Sequence, residues 1–228
     1  VVGAPPGGAP RINTAPPSAG GVSRNRYSQF DVGTQGAILN NSRSGADTTL
    51  GGQVLGNPNL ATGTAKVILN EVNGPASQLN GYIEVGGDRA AVVIANPAGI
   101  QANGAGFINA SRVTLTTGTP VFNGTSLEGY RVGNGTIRVD GAGLDTTAAD
   151  YTDLISRSLE LNGQVWAQQV QATLGTNTVS ADHTQVAAQA SDGATPQFAL
   201  DASALGGMYA NKITLLGTEH GVGVRNAG

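Results

Sequence analysis

The chain contains no cysteine in 228 residues. That excludes a disulfide framework, thiolate chemistry and cysteine-based metal sites. Two histidines, His183 and His220, are too few for a histidine-rich metal cluster. Charged residues make up 12% of the chain, about half of typical usage. The net charge of −3 gives no electrostatic reason to expect nucleic acid or an anionic membrane as partner. Basic residues are scattered, apart from Arg24-Asn25-Arg26. No apolar run reaches the ~18 residues of a membrane-spanning helix. The start, Val1-Val2-Gly3-Ala4-Pro5-Pro6, lacks the basic and apolar regions of a signal peptide.

What is present points to an all-β chain. There are 35 glycines, roughly twice average usage, and 39% apolar residues. The apolar residues fall in short Val/Ile/Leu segments broken by Gly, Asn, Asp and Thr. Residues 1–22 are rich in Pro, Gly and Ala and read as a flexible lead-in to a single domain over 23–228. Order is expected from about Asn25, where Tyr27, Phe30 and Val32 are placed to cover one end of a core. Gly36–Leu39 reads as a strand stopped by Asn40-Asn41. Further strands are read at Ala65–Val72, Gly81–Val85, Arg89–Ala95, Phe107-Ile108, Arg112–Thr117, Gly129–Val132 and Gly135–Val139. The spacing is short and even, without helix-length inserts, which favours a coiled β architecture over a βαβ sheet. Over 151–174 two periods compete. Leu154, Ser158, Leu161 and Val165 fit a helix face, but Leu159, Leu161, Gly163, Val165 and Ala167 alternate. Val170, Ala172 and Leu174 alternate again after a one-residue phase shift, as at a corner, so strands are favoured. Lys212–Gly217 and Gly221–Val224 read as two more strands; with no capping element after them, the solenoid is expected to continue in a longer parent.

Two Asn-Pro motifs stand out about forty residues apart: Asn57-Pro58-Asn59-Leu60 and Asn96-Pro97-Ala98-Gly99-Ile100. In each, a turn former precedes a residue of fixed φ beside a strand. One reading is structural, with Asn capping its own turn. The other is direct contact with a partner, and an unfolded chain could present the same residues as a linear signal.

Taken in order, these motifs resemble a known family. Asn25-Arg26-Tyr27 with Phe30, Leu39–Ser42, Asn57–Leu60, Asn70-Glu71-Val72, Ser77–Gly81, Ile83–Gly87, Ala95–Ile100 and Gly106–Gly118 are similar to the N-terminal secretion domain of two-partner secretion exoproteins. These are the filamentous-haemagglutinin-like adhesins, large haemolysins and contact-dependent growth inhibition toxins of Gram-negative bacteria. The stretch Leu205–Val224 looks most like the haemagglutinin and growth-inhibition members. One departure is Ala102 and Ala105, where many relatives carry two cysteines. The resemblance implies a right-handed parallel β-helix with N-terminal capping strands and small extra-helical β elements. It implies no enzyme activity, no cofactor and no metal. The implied partner is an outer-membrane Omp85-type β-barrel whose polypeptide-transport-associated (POTRA) domains recognise the chain in the periplasm; a monomer without membrane insertion is expected. Export to the cell surface follows, from a processed form lacking its signal peptide. Lack of cysteine suits passage through an oxidising periplasm. The expected recognition or folding residues are Asn57, Pro58, Asn59, Leu60, Asn70, Glu71, Asn96, Pro97, Gly99 and Ile100.

Two other classes compete: a carbohydrate-binding adhesin module and a β-helix polysaccharide-active enzyme. The second would use carboxylates such as Asp140, Asp145, Asp150 and Asp153, which otherwise read as turn and loop residues with no Arg or Lys evidently grouped with them. Calcium-loop spacing is absent. His183 and His220 read as surface or turn residues. Ser180, Asp182 and His183 are too close in sequence for a triad, and no nucleophile elbow is present. Gly141-Ala142-Gly143 reads as a turn, not a phosphate loop. Trp166 and Tyr209 read as core or rung-stacking residues, or as anchors on a binding surface.

Overall fold

A computed structural model of the chain describes residues 8–191 and 193–227. Runs in which alternate residues are apolar bury that half against a common core, and the Gly, Asn and Asp between them supply the corners. The first strands are β1 (Arg11–Asn13), β2 (Val22–Tyr27) and β3 (Ala37–Asn41), then a side hairpin of β4 (Gly45–Thr48) and β5 (Gly52–Leu55), then β6 (Val67–Val72). From there the chain repeats a three-strand rung. One is β7 (Ser77–Leu79), β8 (Tyr82–Gly87) and β9 (Ala90–Ala95); the next is β10 (Ile100–Ala102), β11 (Ala105–Ile108) and β12 (Ala110–Thr116). An excursion, β13 (Thr119–Asn123) and β14 (Ser126–Val132), precedes the rung of β15 (Thr136–Val139), β16 (Leu144–Thr146) and β17 (Tyr151–Ser156). β18 (Ser158–Leu161), β19 (Gln164–Ala167) and β20 (Gln169–Leu174) follow, then a second excursion, β21 (Asn177–Ser180) and β22 (Val186–Ala188). The last strands are β23 (Phe198–Ala202), β24 (Gly207–Tyr209), β25 (Lys212–Gly217) and β26 (Gly223–Asn226).

Each rung strand pairs in parallel with its equivalents before and after. The first sheet runs β1-β3-β8-β11-β16-β19-β24, the second β2-β6-β9-β12-β17-β20-β25 and the third β7-β10-β15-β18-β23-β26. The fold is a right-handed parallel β-helix. In-register pairing turns inward residues into columns: Leu79, Ala102, Val139, Leu161 and Ala202 follow one another along the third sheet, all buried. Over 151–174 alternation wins over the helical period. Leu159, Leu161, Val165 and Ala167 enter the core, the corner at Gln168 resets the phase, and Val170, Ala172 and Leu174 enter it again. Tyr27, Phe30 and Val32 pack at the N-terminal side of the core as expected, with the Tyr27 and Phe30 rings 5.0 Å apart.

The two excursions join as a four-stranded antiparallel sheet, β13-β14-β21-β22. Its Tyr130, Val132 and Val179 cluster with Val22, Leu69, Val93, Ala95 and Ile155 on the outside of the second sheet. This explains why Ala90–Ala95 is apolar at every position: both of its faces are covered. Gly129–Val132 is a strand, as read, but it lies outside the rungs, because Tyr130 and Val132 serve the outer face. One correction concerns the lead-in. β1 pairs with β3, and Ala9 and Thr14 are buried, so order reaches back well before Asn25; residues 1–7 lie outside the described residues. Asn40 and Asn41 do not stop β3 but belong to it.

Phe107, buried in the core, should be costly to truncate. Phe107→Ala is expected to lose about 3–5 kcal/mol of stability, whereas Leu55→Ala, at 84% exposure, should change it by less than about 0.5 kcal/mol. Urea unfolding of the two variants checks this.

Candidate functional site: two buried Asn-Pro corners

Asn57 sits at the entry to a single 3-10 turn, Pro58–Leu60, with extended backbone. Its Oδ1 accepts the Asn59 N–H at 3.0 Å, which closes the turn locally. Its Nδ2 donates to the Thr14 carbonyl at 2.9 Å and to the Asn40 carbonyl at 2.9 Å. The Asn57 N–H donates to the Ser42 carbonyl at 2.7 Å. One side chain therefore ties its own turn to the end of β3 and to the segment after β1. Asn59 adds a bond to the Thr14 carbonyl at 3.1 Å, and Leu60 is fully buried. Asn40 is itself clamped, donating to Asn13 Oδ1 at 2.9 Å and to the Leu55 carbonyl at 2.8 Å.

Asn96 repeats the device at the corner between the second and third sheets. Its Oδ1 accepts the Ala98 N–H at 3.0 Å, and its Nδ2 donates to the Pro75 carbonyl at 2.9 Å and to Ser77 Oγ at 3.0 Å. Gly99 takes φ +123°, a left-handed value that disfavours any side chain. Ile100 then drops into the core. Both asparagines are almost wholly buried, while Pro58, Asn59, Pro97 and Ala98 are exposed. Each corner borders a surface groove. The first, of about 690 Å³, is walled by Ser42, Arg43, Pro58, Thr64 and Asp88; the second, of about 390 Å³, by Ala76, Pro97, Asn134, Thr136 and Arg138. No hydrogen bond joins the two corners among the described residues.

Asn70 and Glu71 lie together on β6, apart from either corner. Asn70 donates to the Val93 carbonyl at 3.1 Å and accepts from the Tyr27 hydroxyl at 3.3 Å. Glu71 is buried against Arg24, whose Nε lies 2.7 Å away. Burial pushes the Tyr27 phenol up to about 12. Of the groups these corners bind or resemble, Asn40, Asn41 and Ser77 were noted in the sequence only as a strand stop or within longer motifs, and Thr14 was not singled out. Asn41 shows what was missed: it donates to the Ala65 and Asp88 carbonyls and accepts from the Ala65 N–H.

The acidic residues do not form one site. Asp140 accepts from Gln101 and Asn162, Asp145 from Tyr82 and Thr147, and Asp150 pairs with Arg89. Asp153 overturns the expectation of a solvated loop residue without a basic neighbour. It is buried under the extra-helical sheet, with Arg112 Nε at 2.6 Å and His183 Nδ1 at 2.9 Å. His183 is likewise buried rather than on the surface. Its φ of +62° turns the ring inward beside Tyr130, and its Nδ1 is close to Asp153 but poorly aligned for a hydrogen bond. Burial alone would push the Asp153 carboxyl up; contact with His183 and Arg112, and their charge, outweigh it and hold the carboxyl below the usual carboxylate range. Ser180 and Asp182 bond to each other in the exposed turn before His183, and no nucleophile–base–acid chain results. No group of three or more metal-ligating side chains occurs among the described residues.

The family model of the TPS secretion domain matches residues 7–228. The toxin CdiA of Yersinia pestis is 55% identical over 223 residues, 97% of this chain but 7% of that protein. The tRNA nuclease CdiA-2 of Burkholderia pseudomallei is 46% identical over 224 residues, again 97% of the chain and 7% of the relative. The crystal structure of the filamentous hemagglutinin secretion domain matches with a TM-score of 0.90 at 35% identity, over 96% of this chain and 76% of the other. The chain thus spans a small fraction, 7%, of each of these two relatives.

Two outcomes follow from the geometry. Asn57→Ala leaves the Thr14 and Asn40 carbonyls short of a donor and should cost about 1–3 kcal/mol, with a similar loss for Asn96→Ala, read by thermal unfolding. The Asp153 contribution is whole above about pH 4, the range of a free carboxylate, and is lost as the pH falls through the lower folded value. Asp153→Asn should therefore cost about 3 kcal/mol near neutral pH and much less in strong acid, as urea unfolding at the two pH values would record.

Proposed function

The chain belongs to the TPS secretion domain family, and from that membership we propose that it is the export-targeting segment of a large CdiA-like or filamentous-haemagglutinin-like exoprotein. In this reading it is non-enzymatic. The POTRA domains of a cognate outer-membrane barrel recognise it in the periplasm, and the exoprotein reaches the surface of a Gram-negative cell. The observation that carries the reading is the family match over nearly the whole chain. The nuclease activities in the relatives' names describe those proteins and are not carried to these residues.

The burial of Asn57 and Asn96 bears on how recognition works. In the folded chain their amides are spent on main-chain carbonyls and, for Asn96, on Ser77 Oγ as well, so a transporter reading those side chains reads them before folding. The same residues then lock the corners as the rungs close. Each rung adds apolar burial, at roughly 25 cal/mol per Å², to a column already formed, so folding propagates from the first rungs and opposes backward sliding through the barrel.

Export of the chain with and without its cognate barrel tests the proposal. Partner-dependent export that fails for Asn57→Ala and Asn96→Ala is the expected result. Ser77→Ala separates the two roles of the second motif. It removes a folded-state partner of Asn96 but leaves the linear motif intact, so it should lower stability while retaining barrel binding. Export without any partner would overturn the assignment; loss of binding in Ser77→Ala equal to that in Asn96→Ala would overturn recognition of the unfolded strand.

A further inference from the structure

Tyr82, Gly106, Asp145, Trp166 and Tyr209 occupy successive in-register positions along the outer face of the first sheet. The three rings are exposed, by 38%, 44% and 46%. The position between Tyr82 and Asp145 is glycine, and the Tyr82 ring lies down over it: a methyl group at Gly106 would come 2.2 Å from ring carbon Cε1. The Tyr82 hydroxyl donates to Asp145 Oδ2 at 2.9 Å. Trp166 and Tyr209 stack at 4.5 Å with 18° between their planes. A second column, one corner position on, carries Thr147, Gln168 and Asn211, with the Asn211 amide on Gln168 Oε1 at 2.9 Å. Nothing in the extra-helical sheet covers this face; that sheet packs on the second sheet.

Exposed aromatic surface of this extent costs solubility without a partner. The rings are flat and fixed, and the groups beside them are amides and one carboxylate with three hydrogen bonds already made and acceptor capacity left. Rings that present a C–H-binding face beside hydroxyl-bonding amides match the two faces of a pyranose sugar. The strip carries one negative charge and no cation, so its charge disfavours sulfated or uronic-acid glycans and nucleic acid. We propose that this strip binds a neutral oligosaccharide lying along the solenoid axis, spanning Tyr82 to Tyr209. The site is independent of the secretion reading and involves neither Asn-Pro corner.

Trp166 is the sole tryptophan, so its emission reports this site alone. The 228-residue chain is titrated with cellopentaose, maltopentaose and chitopentaose, and with a heparin fragment as the acidic control, followed by calorimetry of any responding pair. A saturable emission change with at least one neutral probe is expected. Tyr82→Ala and Tyr209→Ala should weaken it about tenfold or more with unchanged circular dichroism, and Asp145→Asn should weaken it less. Tyr151→Ala, which removes an exposed ring from the second sheet, should leave it unchanged. No response to any neutral probe, a response to heparin alone, or undiminished binding in Tyr82→Ala and Tyr209→Ala overturns the assignment. An emission shift that tracks protein concentration without sugar would make the strip a contact between copies and overturn it equally.

Discussion

A buried asparagine amide reaching a main-chain carbonyl of another rung or strand holds the corners of this solenoid. Asn41, Asn57 and Asn96 do it from buried positions, and the half-buried Asn109 does it from a left-handed backbone with bonds of 2.8 Å to the Val85 and Gly87 carbonyls. The constraint behind it is general. A rung must leave one sheet and enter the next, and each corner takes main-chain groups out of the ladder while burying them. An amide offers two donors and an acceptor from one short side chain, so it repairs its own turn and grips the neighbouring rung together. Aspartate lacks the donors, and serine lacks the reach.

With the corners held, the inward positions need only be apolar and of fitting size. Register then passes each column from rung to rung: Ile100, Ile137, Leu159 and Leu200 share one line. This is why so few aromatic residues suffice. The core is narrow, and branched aliphatic side chains fill most of it, with Phe30 and Phe107 as its buried rings.

The parts of the fold that rest on period two were legible in the sequence, and the run from Leu159 to Leu174 was the clearest, since its phase shift marks a corner directly. The failures share a cause. Gly129–Val132 alternates like a rung strand, and nothing local says which face its partner lies on. Arg11–Asn13 is too short to show a period and is ordered by pairing with β3. Asn40-Asn41 has the composition of a turn but pairs as strand because the carbonyls it binds lie far away in sequence. For the site, the Asn-Pro motifs marked the corners, yet Thr14 carries no local signal and nothing in the Ser77–Gly81 motif ties Ser77 to Asn96. His183 was misplaced for the same reason: its partner Asp153, itself held by Arg112, lies on a different strand far away in sequence. Trp166 and Tyr209 do stack across rungs, as their reading allowed, but on the outside.

The extra-helical sheet sets its two hairpins side by side, with β14 flanked by β13 on one side and by β21 on the other. A chain cut short before Asn177 would keep Tyr130 and Val132 but lose Val179, leaving β14 with an unpaired edge beside a half-covered apolar face. Such an edge accepts any matching strand, including the β14 edge of another truncated copy, and the product is an edge-paired oligomer. The architecture therefore imposes a minimum length: fragments ending before about Ala188 are expected to be intermolecularly sticky although most of their rungs are complete.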